Sequence, residues 1–331
     1  MNKKFYDVCL VGATGLVGQT FLKVLAEVDF PIRQLKLLAS ARSAGKIITF
    51  KDKKLVVEEL TAASFDGYQL AFFSAGGGIS KKYAPLARDK GLIVIDNSSA
   101  WREDEEVGLV VPEVNFADSK MSKLIANPNC STIQSVVPLA ALKPFGLKRV
   151  NYSTYQSVSG SGASGQVELE RTLAGDSPEF YPHNISKTCI PEIDIPLDNG
   201  YTKEEMKMVK ETRKILHLPD LPVSATCVRV PVMNGHAVSV HVELEQPFEI
   251  ADIITAFEAH EGIVVVNDLA NHLYPTSVMA EGTATVFVGR IRHDLSAPNS
   301  LLFYCVADNA RKGAATNAVQ IAMKMIEKDL I

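Results

Sequence analysis

Residues 6–12, YDVCLVG, begin a series of short runs that are apolar almost throughout, continued by LKLLAS, LVVEEL, YQLAFFSAG, LIVIDNSS and LIANP within the first 130 residues. A strand with one wet face alternates polar and apolar positions, whereas a strand apolar at nearly every position must be covered on both. The segments GLVGQTFLKVLAEV and SKKYAPLARDKG between these runs carry their apolar residues at helical spacing. Strands and helices in alternation imply a doubly wound α/β fold with a parallel sheet, a nucleotide-binding pattern.

Beyond about Cys130 the character changes. KRVNYSTYQSVSG, VSATCVRVPV, HAVSVHVELEQ, TATVFVGRIRHD and LLFYCVADN read as a mostly antiparallel sheet with one face covered by helices. Residues 175–200 are rich in Pro and Asn and read as an irregular excursion. The closing RKGAATNAVQIAMKMIEKDL is an amphipathic helix placed to return to the first domain. A length of 331 residues fits two such domains. The expected boundaries are 1–129, completed by a helix from about 310 to 331, and 130–309.

A net charge of −4 gives no electrostatic reason to expect nucleic acid or an anionic membrane as partner. Pairs such as Lys53-Lys54 and Lys81-Lys82 read as solvated faces. No stretch approaches a bilayer span, and the N-terminal lysines lead into a strand and a Gly-rich turn, not a signal peptide. Five dispersed cysteines without C-x-x-C argue against a zinc site or disulfide framework, so no metal is expected and a cytoplasmic setting fits.

Gly12, Gly15 and Gly18 fall between the first strand and its helix as G-x-x-G-x-x-G, where backbone amides can approach a pyrophosphate. The second strand ends in Ser40-Ala41-Arg42-Ser43 without the carboxylate that would hold a ribose 2′-hydroxyl. Arg42 and two hydroxyls suit a 2′-phosphate, so NADP is expected.

In LIANPNCSTIQSVV, Cys130 opens a helical run after a strand and a Pro-Asn turn. Free backbone amides and the positive end of the helix dipole there favour thiolate, the nucleophilic form. Cys9, Cys227 and Cys305 sit inside strands and read as small core residues. Gln156 precedes the flexible SVSGSG, and its neutral amide can donate to a carbonyl oxygen. Strand parity puts His236 on the apolar face with Val238, Val240 and Val242, and His241 on the other with Ser239 and Glu243. His236 is thus read as a partly buried acid or base near neutral pH, or else a satisfied core histidine. Arg229 on the preceding strand can clamp a carboxylate. Asn97, Arg102 and Asn309 lie near strand ends, where open α/β sheets bind ligands. Glu211 and Lys214 in KETRKI read by spacing alone as an exposed i,i+3 pair.

Several of these pieces, in order along nearly the whole chain, resemble the aspartate-semialdehyde dehydrogenase family: GATGLVG, SARSAGK, FFSAGG, DNSSAWR, NPNCSTIQ, YQSVSGSG, KETRKI, CVRVPVMNGH and DNARKGAA. The stretch from Pro231 to Gly235 departs from the family pattern without touching a matched residue. The resemblance implies a Rossmann-like NADP domain and a mixed α+β catalytic domain that makes a homodimer. It implies reductive dephosphorylation of L-4-aspartyl phosphate to L-aspartate 4-semialdehyde, a step feeding lysine (through diaminopimelate), threonine, methionine and isoleucine synthesis. Carried over, Cys130 is the nucleophile, His236 the acid/base, and Gln156 positions the substrate. Arg229 binds the α-carboxylate, Glu211 the α-ammonium, and Lys214 with Arg102 the phosphate, near Asn97. Cofactor contacts fall on Gly12, Thr14, Gly15, Leu16, Val17, Ser40, Arg42, Ser43, Ser74, Ala75, Gly76, Ser159, Gly160 and Asn309. The nearest rival is an N-acetyl-γ-glutamyl-phosphate reductase. Rivals of other classes are a cysteine hydrolase and a non-catalytic NADP sensor.

Overall fold

The structure, a computed structural model, describes residues 4–331; Lys3 of the N-terminal lysine pair lies outside them. The chain divides into two compact units, Met1–Pro128 with Ala314–Ile331, and Asn129–Gly313. Among the described residues no helix is long and apolar enough to cross a membrane.

The first unit opens with β1 (Tyr6–Val11), buried at every position, then α1 (Leu16–Glu27) and β2 (Ile32–Ala39). A hairpin of β3 (Ile47–Phe50) and β4 (Lys53–Glu59) follows; the LVVEEL run marks β4 while β3 goes unmarked, and both strands are largely exposed, not covered on both faces as a continuous apolar run implies. Next come β5 (Leu70–Phe73), α2 (Gly77–Asp89), β6 (Ile93–Asp96), β7 (Gly108–Leu109), α3 (Pro112–Asn115) and β8 (Leu124–Ala126). The sheet runs β3-β4-β2-β1-β5-β6-β8-β7 and is parallel except for the β3–β4 pair. The chain leaves β1 toward β2 and later resumes on β1's other side at β5, so the order reverses at β1. Ligands of open α/β sheets bind at the carboxyl ends beside such a switch point.

The second unit contains α4 (Cys130–Ala141), β9 (Leu147–Gln156), α5 (Ala163–Leu173) and α6 (Lys203–Leu216). It continues with β10 (Val223–Arg229), β11 (His236–Leu244), α7 (Ile250–Glu258), β12 (Ile263–Val265), α8 (Ser277–Ala280), β13 (Val286–His293) and β14 (Ser300–Ala307). Its sheet order is β10-β9-β11-β14-β13-β12. The three central pairings are antiparallel, as the alternating pattern implies. The outer pairs β10–β9 and β12–β13 are parallel, so the sheet is mixed. Parallel neighbours need long connections, and the α5–α6 region is the one that carries β9 to β10. The irregular stretch before α6 is pinned by a bridge in which Ile190 and Arg229 exchange backbone bonds of 2.9 and 2.8 Å.

One π-helical turn (Arg311–Ala315) leads into α9 (Thr316–Glu327). Ala318, Val319, Ile321, Ala322 and Met325 of α9 join the first unit's core with Val8, Leu10, Phe21 and Phe72. Asn317 Nδ2 donates to Val110 O at 3.0 Å and to Asn127 Oδ1 at 2.8 Å, tying α9 to the end of β8.

Candidate functional site

In the first unit the turn after β1 is shaped by atoms its glycines lack. Gly12 holds φ +84°, and a Cβ there would strike the Ser74 carbonyl at the end of β5; one on Gly18 would strike the Gly12 carbonyl. Gly15 and Gly76, which head α1 and α2, supply no side-chain cap. Helix N-termini without a side-chain partner leave amides for an anion. Gly15 and Gly76 are exposed, and Thr14, Leu16, Val17, Ser74 and Ala75 half-buried. The arrangement therefore fits a dinucleotide pyrophosphate. At the end of β2, Ser40 and Arg42 are exposed and Ser43 is buried on a short turn that carries no carboxylate.

The loop after β6 is also rigid. Asp96 accepts from Ser80 Oγ at 2.8 Å and Ser98 Oγ at 2.7 Å, and Trp101 Nε1 donates to Ser80 Oγ at 2.8 Å. Burial raises the Asp96 pKa above the usual carboxyl value against those bonds. Arg102 donates from Nε to Asn127 O and from Nη2 to Asn97 O, both at 3.0 Å, so the guanidinium is seated on two strand-end carbonyls.

The second unit opens on Asn129 and Cys130. Asn129 is the N-cap of α4, its Oδ1 accepting from the amides of Ser131 at 3.0 Å and Thr132 at 3.2 Å. This corrects one expectation: those amides are not free for the sulfur, because the capping side chain takes them. The helix is buried from Ser131 to Leu139, polar residues included, with Cys130 at its first position, partly buried. Gly313 presses on that residue, since a Cβ there would sit 2.7 Å from Cys130 Cβ. Asn129 is itself held, its N–H donating to Glu211 Oε2 at 2.7 Å and its Nδ2 to Glu204 Oε1 at 2.9 Å. Glu211 is buried, contrary to the exposed pair its spacing with Lys214 suggests, because that side of α6 packs on α4; Lys214 is half-buried.

Gln156 ends β9 fully buried. Its Nε2 donates to Glu204 Oε1 at 3.1 Å and its Oε1 accepts from Thr154 Oγ1 at 2.9 Å. The next residue, Ser157, reaches His236: its N–H donates to Nδ1 at 3.0 Å, and its Oγ lies 3.0 Å from the same nitrogen. A backbone N–H can only donate, so Nδ1 bears the lone pair and the neutral ring carries its proton on Nε2. Nε2 is buried without a hydrogen-bond partner among the described residues. His236 is wholly buried, not partly, and burial followed by the Arg229 charge holds its pKa well below the ordinary histidine value. Full burial of the ring differs from the partial burial that strand parity and the adjacent loop suggest.

Arg229 Nη1 donates to Ser157 O at 2.7 Å. Gly160 lies between the two groups: a Cβ on it would stand 2.7 Å from Arg229 Nη1 and 2.9 Å from His236 Nε2. Asn309 Oδ1 gathers Ser157 Oγ, Ser159 Oγ and Gly235 N at 3.0–3.1 Å, so this oxygen is spent within the protein. Thus Gln156, Ser159, Gly160, Arg229, His236 and Asn309 form one bonded cluster, and Cys130 heads the helix tied through Asn129 to Glu211 and to Gln156's partner. Asn97 and Arg102 belong to the first unit. Sequence reasoning passes over Asn129, Ser157, Glu204 and Lys207. Only Asn129 carries a signal, as the capping residue before an apolar-periodic run.

Residues 7–122 match the family model described as "Semialdehyde dehydrogenase, NAD binding domain", and residues 136–312 match "Semialdehyde dehydrogenase, dimerisation domain". The chain is 49% identical to an aspartate-semialdehyde dehydrogenase of Aquifex aeolicus (strain VF5), covering 98% of this chain and 99% of that one. It is 48% identical to one from Legionella pneumophila, covering 96% and 94%. A crystal structure of aspartate semialdehyde dehydrogenase II from Vibrio cholerae, complexed with ASA, superposes with a TM-score of 0.92 at 45% identity, covering 98% and 99%.

Proposed function

The chain belongs to the aspartate-semialdehyde dehydrogenase family, an oxidoreductase family using a nicotinamide cofactor, and from that premise we propose that Cys130 carries the acyl group while L-4-aspartyl phosphate is reduced to L-aspartate 4-semialdehyde. The observation that carries this reading is the seat of Cys130, the first residue of a buried, side-chain-capped helix whose positive end faces the sulfur. The thiolate attacks the acyl carbon, the C–S bond forms and the C–O bond to phosphate breaks, leaving a thioester. The nicotinamide cofactor, whose pyrophosphate the turn at Gly12, Gly15 and Gly18 would hold, would supply hydride to the acyl carbon when bound. His236 Nε2–H then donates a hydrogen bond to the tetrahedral oxygen, and as the C–O double bond returns, the C–S bond breaks and the thiolate is restored. With Nδ1 committed to Ser157, the ring serves as a neutral donor to the oxyanion and not as the base that ionises Cys130.

Arg229, oriented by Ser157 O, suits the substrate α-carboxylate, and Glu211 the α-ammonium, with Lys214 and Arg102 for phosphate. NADP in preference to NAD is supported by Arg42 and Ser40 at the end of β2 on a turn without a carboxylate. A homodimer is supported by the match of residues 136–312 to a dimerisation domain. N-acetyl-γ-glutamyl phosphate is the disfavoured substrate.

The test is reduction of NADP by L-aspartate semialdehyde with and without inorganic phosphate, with NAD and the rival semialdehyde in parallel. Cys130→Ala is expected to bind NADP normally and to show no phosphate-dependent turnover. Robust turnover in that variant would refute the reading.

A further inference from the structure

Glu204 sits in the first turn of α6, 5% exposed, and no step of the reaction uses it. Its Oε1 accepts from Asn129 Nδ2 at 2.9 Å and from Gln156 Nε2 at 3.1 Å, and its Oε2 from Lys207 Nζ at 3.0 Å. Lys207 in turn meets Asp194 at 2.7 Å, on the irregular excursion. Burial raises the Glu204 pKa, but the Lys207 charge and the hydrogen bonds from Asn129, Lys207 and Gln156 outweigh it and hold the carboxyl below its usual range. Lys207 is loosened by its own desolvation, but Glu204 and Asp194 outweigh that and push it up to about 12.

An ionised carboxylate only accepts, so an amide facing it must present nitrogen. For Asn129 this turns Oδ1 toward the amides of Ser131 and Thr132, the contact that caps the cysteine helix. For Gln156 it turns Oε1 toward Thr154 Oγ1. We propose that Glu204 is a positioning residue: one buried carboxylate fixes which way round both amides stand, the one that seats Cys130 and the one that meets the substrate. This rests on the reading of Cys130 and Gln156 given above. It also gives the excursion a purpose, since Asp194 anchors the cation that keeps the carboxylate charged.

Glu204→Gln removes the rule: Lys207 can only donate, so it draws the new side chain's oxygen, and the NH2 then takes the place of Oε1 and confronts both amides. Turnover is expected to fall about 10–100-fold, the scale of a misplaced reacting geometry, with the KM for semialdehyde within about twofold. Glu204→Asp keeps an acceptor-only group and is expected to restore most of the rate; should the Gln variant not fold, the same split of kcat from KM is read on Glu204→Ala, which leaves both amides free to turn. Glu205→Gln is the control: that neighbour, equally buried, accepts from Thr202 N and Cys227 N and touches neither amide. It is expected to lower the melting temperature without changing kcat per folded enzyme. The decisive measurement is a double-mutant cycle. In a Gln156→Ala background, Glu204→Gln is expected to cost less than about a third of what it costs alone, on a logarithmic scale. Independent, additive losses overturn the proposal, as does a folded Glu204→Gln enzyme with full turnover. Unimpaired turnover in Gln156→Ala also overturns it, whereas the fate of Cys130→Ala bears only on the parent reading.

Discussion

At the turn after β1 the groups that face a ligand are backbone amides, and the residues there matter for the atoms they lack. Around Cys130 the proposed groups are side chains, drawn from residues 129–130, 156–160, 204–211, 229–236 and 309, held by other side chains or, for Arg229 and His236, also by the Ser157 backbone. The first arrangement is local: Gly12, Gly15 and Gly18 lie within seven residues on one strand–helix junction. The second is assembled across long loops, with Glu204 reaching Gln156 over 48 residues and Asn129 over 75. A site made of missing Cβ atoms is stable against loss of any one hydrogen bond but intolerant of added volume. A site made of paired side chains keeps its fold when a methyl group is added, and loses its function when a group is displaced or a donor is turned around.

The same substitution placed in both turns separates these cases. Gly12→Ala combines an unfavourable φ of +84° with a collision against backbone at Ser74, and neither partner can move cheaply. It is expected to destabilise the first unit by about 3 kcal/mol or more and to abolish cofactor binding, read by thermal unfolding with and without NADP. Gly160→Ala meets only the ends of Arg229 and His236, with no positive φ. Melting is expected to change little, about 1 kcal/mol, while kcat falls about a hundredfold through displaced groups. If Gly160→Ala unfolds the protein and Gly12→Ala merely slows it, the contrast is reversed and wrong.

What the sequence makes legible follows the same line. The parallel sheet, the glycine turn, the cysteine helix and the returning α9 are each marked by a local pattern: continuous apolar runs, glycine spacing, a capping residue, helical periodicity. β3 is not marked, since Ile47 is an exposed apolar residue on a strand with little buried surface, and the LVVEEL run that marks β4 does not show that it has a hairpin partner. Nor does alternation reveal that β10 runs parallel to β9, because pairing direction depends on where the intervening chain returns. Glu211 looks like a solvated residue because helical spacing identifies a face without saying what packs on it. The same blindness hides Glu204. His236 was assignable to the apolar face by parity, yet only its Ser157 partner, 79 residues away, fixes the tautomer.

A pH measurement sharpens the side-chain half of the comparison. His236 is held neutral in the folded protein by burial and then by Arg229, so its folded pKa lies below the unfolded value of about 6.5. Below that pH the unfolded chain binds a proton that the folded one refuses. Its contribution is therefore complete above about pH 6.5 and is lost as pH falls toward the depressed folded pKa, with a slope of up to about 1.4 kcal/mol per pH unit. His236→Gln removes this proton linkage. Denaturant titrations from pH 7.5 to 5 are expected to show a shallower acid loss in the variant; identical slopes would mean the ring titrates as freely folded as unfolded.

The smallest effect is expected where the two modes of construction meet. The cofactor turn is backbone-built, whereas the proposed reader of the 2′-phosphate at the end of β2 is a side chain, Arg42, exposed beside Ser40 and the buried Ser43. A charge-assisted contact to a 2′-phosphate has a modest net strength, because an exposed guanidinium gives up good hydration to make it. Arg42→Ala should leave folding and kcat with saturating NADP unchanged. The KM for NADP is expected to rise about tenfold while that for NAD stays put, since NAD has no phosphate for the arginine to find. Parallel KM series with the two cofactors decide it. An equal rise for both would assign Arg42 to the adenosine as a whole, and the backbone turn would then have no dedicated side-chain reader of the phosphate.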